Sequence, residues 1–123
     1  MNENKNFGYL GYNFQLKLIN LMITDNQFFQ SIIDAIVPKY FDNQYFRLIM
    51  QLIKEYYEKY QTAPSLDALD QLTRIEISSE MAQKYVFDML KEIKEASFED
   101  HLFIKEKSIK FCKQQELKKA IRK

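Results

Sequence analysis

The sequence is poor in the residues that make turns and cross-links. Its 123 residues include two glycines, two prolines, one cysteine and no tryptophan. So little glycine and proline argues against a fold of many short strands joined by tight turns and favours long uninterrupted helices. The one cysteine, Cys112, excludes an internal disulfide and is typical of a reducing compartment. We therefore expect a cytoplasmic protein.

Long hydrophobic runs are also missing. No apolar stretch approaches the roughly 18 residues of a membrane-spanning helix, and no signal-peptide pattern opens the chain. Apolar residues nevertheless make up 46% of the sequence, which argues against disorder. A chain of this length fits one domain, so residues 1–123 are predicted to form a single helical domain without a membrane partner.

The side-chain sets of common catalytic and metal sites are absent. There is no G-x-x-x-x-G-K-[ST] phosphate loop, since Gly8 and Gly11 have neither its spacing nor its lysine. His101 and Cys112 are the only imidazole and thiol, whereas a zinc site needs about four ligands. Glu99 and Asp100 precede His101 at a predicted helix start, where carboxylates favour the positive end of the dipole. We expect no catalytic residue, no cofactor and no metal in this chain.

Charge is divided unevenly along the sequence. Residues 1–104 have a net charge of −5, and residues 105–123 have a net charge of +6. A basic C-terminal segment can contact phosphate groups or an acidic protein surface. It can also simply suit the negative end of a helix dipole. Both readings stay open on this feature alone.

The spacing of apolar residues predicts an all-α fold. Residues 1–12 read as a flexible arm that includes Phe7, Tyr9 and Tyr12. Residues 13–77 read as a head of about four helices. The remaining residues, 78–123, are predicted to form a long antiparallel helical hairpin that runs into a linker. Expected N-caps are Asn13, Asp42, Ser65, and Ser78 or Ser79.

The last predicted helix has apolar side chains on two faces. One face matches the apolar stripe of the preceding helix and carries Phe98, Leu102, Ile109, Cys112 and Ala120. Ile104 and Phe111 lie on the opposite face, with Phe103 and Ile121 between the two. Either the head or a second protein chain covers this second face. The candidate protein-interface residues are Phe103, Ile104, Phe111 and Ile121.

Two stretches carry a resemblance to a known family. They are YFDNQYFRLIMQLIKEYYEKYQTAPSLDAL, Tyr40 to Leu69, and FCKQQELKKAI, Phe111 to Ile121. Together with the predicted order of head, hairpin and basic helix, they resemble the N-terminal domain of DnaB-like replicative DNA helicases, most of all the phage branch. Bacterial members tend to have His before the Arg and Gly with Pro-Ile-Asp in the loop, where this chain has Tyr45-Phe46-Arg47 and QTAPS.

The resemblance implies a non-catalytic assembly and partner-docking domain. In that family such domains form a collar over a ring of ATPase motors, and the collar interface uses the helical hairpin. The implied partners are further copies of the chain, the helicase motor domain, primase and a helicase loader, in the host cytoplasm if a phage encodes the protein. ATP and magnesium are expected only for the motor, which this chain lacks, and its end at Lys123 would fall where a linker helix begins.

A function of another class stays open. The chain can instead be a stand-alone nucleic-acid-binding or regulatory protein that uses its basic C-terminal helix. The eight basic residues of 105–123 spread around a helical wheel, and only Arg122 is an arginine. Bidentate contacts to phosphates or bases are therefore poorly supplied. We expect DNA binding to be weak or indirect.

Overall fold

The computed structural model describes residues 5–122, and this part of the chain contains helices and no strands. The predicted all-α fold class is confirmed. The α-helices are α1 (Tyr12–Thr24), α2 (Asn26–Ile32), α3 (Gln44–Tyr60), α4 (Leu66–Glu76), α5 (Glu80–Lys94) and α6 (His101–Arg122). Two short 3₁₀ helices, Phe7–Leu10 and Pro38–Tyr40, precede α1 and α3.

Most helices begin at a side chain that caps a free backbone N–H. Asp25 accepts from the Phe28 N–H at the start of α2, and Ser65 and Ser79 cap α4 and α5 in the same way. The predicted caps Ser65 and Ser79 are therefore confirmed. Asn43 caps α3 in place of the predicted Asp42.

The first helix has a glycine at its N-cap. It begins at Tyr12 after Gly11, whose φ of 96° lies in the region that only glycine adopts without strain, so Asn13 is not the cap.

Residues 7–12 are not part of the flexible arm that the sequence predicted for residues 1–12. Phe7–Leu10 form a 3₁₀ helix, and the Phe7 side chain is completely buried. A Cβ on Gly8 would lie 2.8 Å from side-chain oxygens of Asn6 and Asp42, so these side chains would have to shift. Tyr9 is 56% exposed, whereas Tyr12 is 40% exposed and its hydroxyl donates to the Glu92 carboxylate. Residues 1–4 of the predicted arm, like Lys123, lie outside the described residues.

One hydrophobic core joins the N-terminal 3₁₀ helix, the intermediate helices and α6. Its aromatic part surrounds Phe7. The centre of the Phe7 ring lies 4.6 Å from the ring centre of Phe111 and 5.3 Å from that of Phe41. Burying one such side chain contributes about 1.5–3 kcal/mol. The largest fully buried side chains are Tyr40, Phe7, Phe29, Phe41, Phe46, Phe111, Leu18, Ile19, Met22, Ile32, Ile33 and Ile36.

The middle of the fold is further held by polar contacts between elements. The Lys54 ammonium donates to the carbonyl oxygens of Ile33 and Ile36, both at 2.7 Å, just after α2 ends. This contact satisfies carbonyls that a helix end leaves without a partner. The Asn20 amide donates to the Ile93 carbonyl at 2.9 Å and so ties α1 to α5.

The predicted antiparallel hairpin of the last two helices is not found. The extensive contacts of α5 are with α1, α3 and α4, whereas those of α6 are with α1 and α2. Between them Asp100 adopts a left-handed conformation with a φ of 62°. The short connection does not force the two helices together, because each packs on a larger apolar surface elsewhere. Helix α5 packs on α3 and α4, and α6 packs on the aromatic core.

Candidate functional site

The inner face of α6 is buried in the core. Ile104, Ser108, Phe111 and Cys112 are each at most 2% exposed. The Phe111 ring packs 4.6 Å from Phe7 and 5.2 Å, edge to face, from Tyr40. This face is set by spacing, since the four side chains fall on one side of a helix.

Two ion pairs link α2 to the first turns of α6, and α1 to the residue just before α6. Lys105 on α6 donates to the Asp25 carboxylate that also caps α2, and its ammonium lies 5.9 Å from the centre of the Phe28 ring. The hydrogen bond from Lys105 and the Phe28 N–H together hold the pKa of Asp25 below its usual range. Lys17 of α1 approaches Asp100 at 3.8 Å.

Two of the four predicted interface residues are therefore core residues. Ile104 and Phe111 are each 2% exposed, so the face opposite the supposed hairpin contact is covered by the chain itself. The prediction was wrong for these two because it gave the inward position to Leu102, which is 69% exposed. Phe103 and Ile121 do lie on the surface.

The outer face of α6 is an exposed apolar stripe along most of the helix. We define it by Leu102, Glu106, Ile109, Lys113 and Leu117, which are spaced three or four residues apart and so lie on one side. Leu102 and Leu117 are 69% and 61% exposed, and Ile109 is half-buried. Phe103 and Ile121 flank the stripe, and a shallow groove runs along it beside Lys110 and Gln114.

Sequence reasoning missed Leu102, Ile109 and Leu117 as surface residues. The sequence does contain a signal for this face, because the three residues recur seven and eight positions apart. Glu106 and Lys113 lie between them on the same side of the helix. The periodicity shows that a face exists, but it does not show which face is inside. The wrong hairpin partner inverted that assignment.

The one thiol and the one imidazole of the sequence, Cys112 and His101, lie apart on α6. Cys112 is buried, and burial with the nearby Glu116 raises the pKa of its thiol to about 12. His101 stacks on Phe98 with ring centres 4.2 Å apart at the start of the same helix. His101 and Cys112 are eleven residues apart on one helix, a distance of about 16 Å along its axis, so they cannot act as a pair. No group of three potential metal ligands occurs among residues 5–121.

Comparisons with known proteins return no match, whether to a family model, to a curated protein or to a solved structure. The resemblance to DnaB-like helicases stays a prediction from the sequence. Within the described range, the helices are too short or too polar for any of them to span a bilayer.

Proposed function

We propose that this chain is the assembly and partner-docking domain of a hexameric DnaB-like replicative helicase, and that copies associate through the outer face of α6. The exposed apolar stripe of α6 is the observation that supports the proposal. A surface with Leu102 and Leu117 more than half exposed is costly to leave in water and is suited to a partner.

A second copy of the chain is the occupant that the charges favour. In an antiparallel pair with its two-fold axis near Ile109 and Lys110, Leu102 of one copy meets Leu117 of the second. The same register brings Glu106 opposite Lys113, and symmetry repeats both contacts. A parallel pair would instead place Glu106 against Glu106 and Lys113 against Lys113, which is repulsive. The stripe is therefore complementary to itself in the antiparallel direction.

The contact is expected to be weak. Four leucines that each contribute about 1.5–3 kcal/mol are set against association costs of roughly 4–15 kcal/mol. We expect pairs at protein concentrations of about 0.1 mM or above. A two-fold contact alone gives pairs, so the ring of the proposed helicase needs a further contact, which we assign to the motor domains. Primase and a helicase loader are the further partners of this proposal.

Sedimentation equilibrium of wild type, Leu117→Asp and Ile75→Asp tests the pairing. Leu117→Asp removes two buried leucines and adds two charges per pair, so the dissociation constant should rise at least about 100-fold. Ile75→Asp is the matched control, because Ile75 is 73% exposed on α4 and lies outside the stripe. Association that survives Leu117→Asp, or that is lost equally in Ile75→Asp, would contradict the proposal.

The helicase part of the proposal has its own test. If the chain is a collar domain, the gene continues in frame after codon 123 into a sequence with a G-x-x-x-x-G-K-[ST] phosphate loop. A stop codon directly after Lys123 would refute the helicase assignment and leave the pairing of α6 to be judged separately.

A further inference from the structure

A basic cleft lies where three distant parts of the chain meet. It has a volume of about 320 Å³ and lies between the N-terminal 3₁₀ helix, the Pro38–Tyr40 turn and the last turns of α6. Ligand sites of small molecules begin at about this size. Its lining consists of Lys5, Asn6, Lys39, Tyr40, Gln115, Lys118 and Lys119.

The charge of the cleft is of one sign. Four lysines line it and no carboxylate does. The ion pairs of the described residues use Lys17 and Lys105, so the lysines Lys5, Lys39 and Lys119 are not neutralised by a carboxylate among residues 5–121. Taken along α6 alone, the lysines spread around the helix. The fold adds Lys5 and Lys39 to one side and so concentrates positive charge.

The wall of the cleft also contains a polar group without a partner. Tyr40 is 2% exposed, and its buried hydroxyl has no hydrogen-bond partner in the described part of the chain. Burial, with Cys112 and Glu116 nearby, raises the pKa of Tyr40, so the hydroxyl keeps its proton at neutral pH and can donate. The hydroxyl has less than 1 Å² of accessible surface, so a ligand in the cleft does not contact it.

We infer that this cleft binds a phosphate group, with Lys39 and Lys119 as the main charged contacts. Ammonium groups contact phosphate as point charges, which suits a phosphodiester or a terminal phosphate and reads no base sequence. The volume holds one or two phosphate groups, so the rest of the ligand lies outside the cleft.

The cleft is independent of the pairing face. Gln115 and Lys119 lie on the opposite side of α6 from Leu117. The Leu117→Asp variant is therefore expected to keep its phosphate binding even where pairing is lost, so the two proposals can fail separately.

Calorimetric titration with two probes tests the site. Inorganic tripolyphosphate carries phosphate alone, and an oligothymidine strand of about 12 nucleotides carries phosphodiesters. The Lys39→Gln/Lys119→Gln variant should bind at least tenfold more weakly. For the strand, the slope of log affinity against log salt should fall by about 1.4, or 0.7 for each lysine. The control is Lys84→Gln/Lys91→Gln, which removes the same charge from two exposed positions of α5 and should stay within twofold of wild type.

The hydroxyl has a separate variant. Tyr40→Phe should leave binding within about twofold of wild type and should not lower the unfolding midpoint, since it removes a buried group without a partner. Binding of tripolyphosphate but not of the strand would support a small phosphate ligand, and tighter binding of the strand than of tripolyphosphate would support a nucleic-acid backbone. No binding at millimolar probe, or equal losses in the α5 control, would overturn the site.

Discussion

Replacing Phe111 with alanine should destabilise the protein strongly. The side chain is 2% exposed, and its ring lies 4.6 Å from Phe7 and 5.2 Å from Tyr40. Phe→Ala at a buried site costs about 3–5 kcal/mol through lost transfer energy and the cavity left behind. A domain of this kind has a total stability of about 5–15 kcal/mol, so Phe111→Ala should remove a large part of it.

Urea denaturation followed by circular dichroism measures this effect. The control is Leu117→Ala on the outer face of the same helix, which should change stability by no more than about 0.5 kcal/mol. If Phe111→Ala unfolds at the wild-type urea concentration, Phe111 is not a core residue and α6 does not close the aromatic core. If Phe111→Ala loses association without losing stability, Phe111 is an interface residue and not a core residue.

Two smaller predictions concern titratable groups. The pKa of Asp25 is held below its usual value, so the pair with Lys105 stabilises the fold above about pH 4 and this contribution is lost as pH falls through the lowered pKa. Asp25→Asn keeps an oxygen for the cap but removes the charge. In thermal unfolding, the stability advantage of wild type over this variant should therefore shrink as pH falls from about 6 to about 2.5. An advantage that is independent of pH would contradict the ion pair. The Cys112 thiol, with a pKa of about 12, should react with Ellman's reagent at pH 8 on the order of a thousandfold more slowly than in urea, and equal rates would show that it is exposed.

Local features of the fold were predictable because they depend on neighbouring residues. The helical class follows from apolar spacing, and the caps Ser65 and Ser79 follow from a hydroxyl placed directly before a helical stretch. The burial of Phe7 was missed because a lone aromatic between polar residues and Gly8 has no periodicity. Only the distant Phe41 and Phe111 give it a core to enter.

Features that depend on how helices pack were not predictable from the chain alone. A short connection after α5 permits an antiparallel hairpin but does not require one. The structure instead places α6 on α1 and α2, so Ile104 and Phe111 are inside and Leu102 is outside. Cys112, predicted on the face of Leu102, is buried with Ile104 and Phe111. Of the four predicted interface residues, Phe103 and Ile121 lie at the surface of the structure, whereas Ile104 and Phe111 are buried. The cleft of Lys39 and Lys119 could not be predicted because these two lysines are some 80 residues apart in the sequence.

Charge reversal at the outer face of α6 tests self-association most directly. Glu106→Lys and Lys113→Glu each create like-charge contacts in an antiparallel pair, and each alone should weaken association by roughly 5–30-fold. An equimolar mixture of the two variants should associate more strongly than either alone, because each copy then supplies the charge that the other lacks. Sedimentation velocity of the two variants, their mixture and wild type measures this. A mixture that behaves as the average of its components would contradict antiparallel pairing of α6.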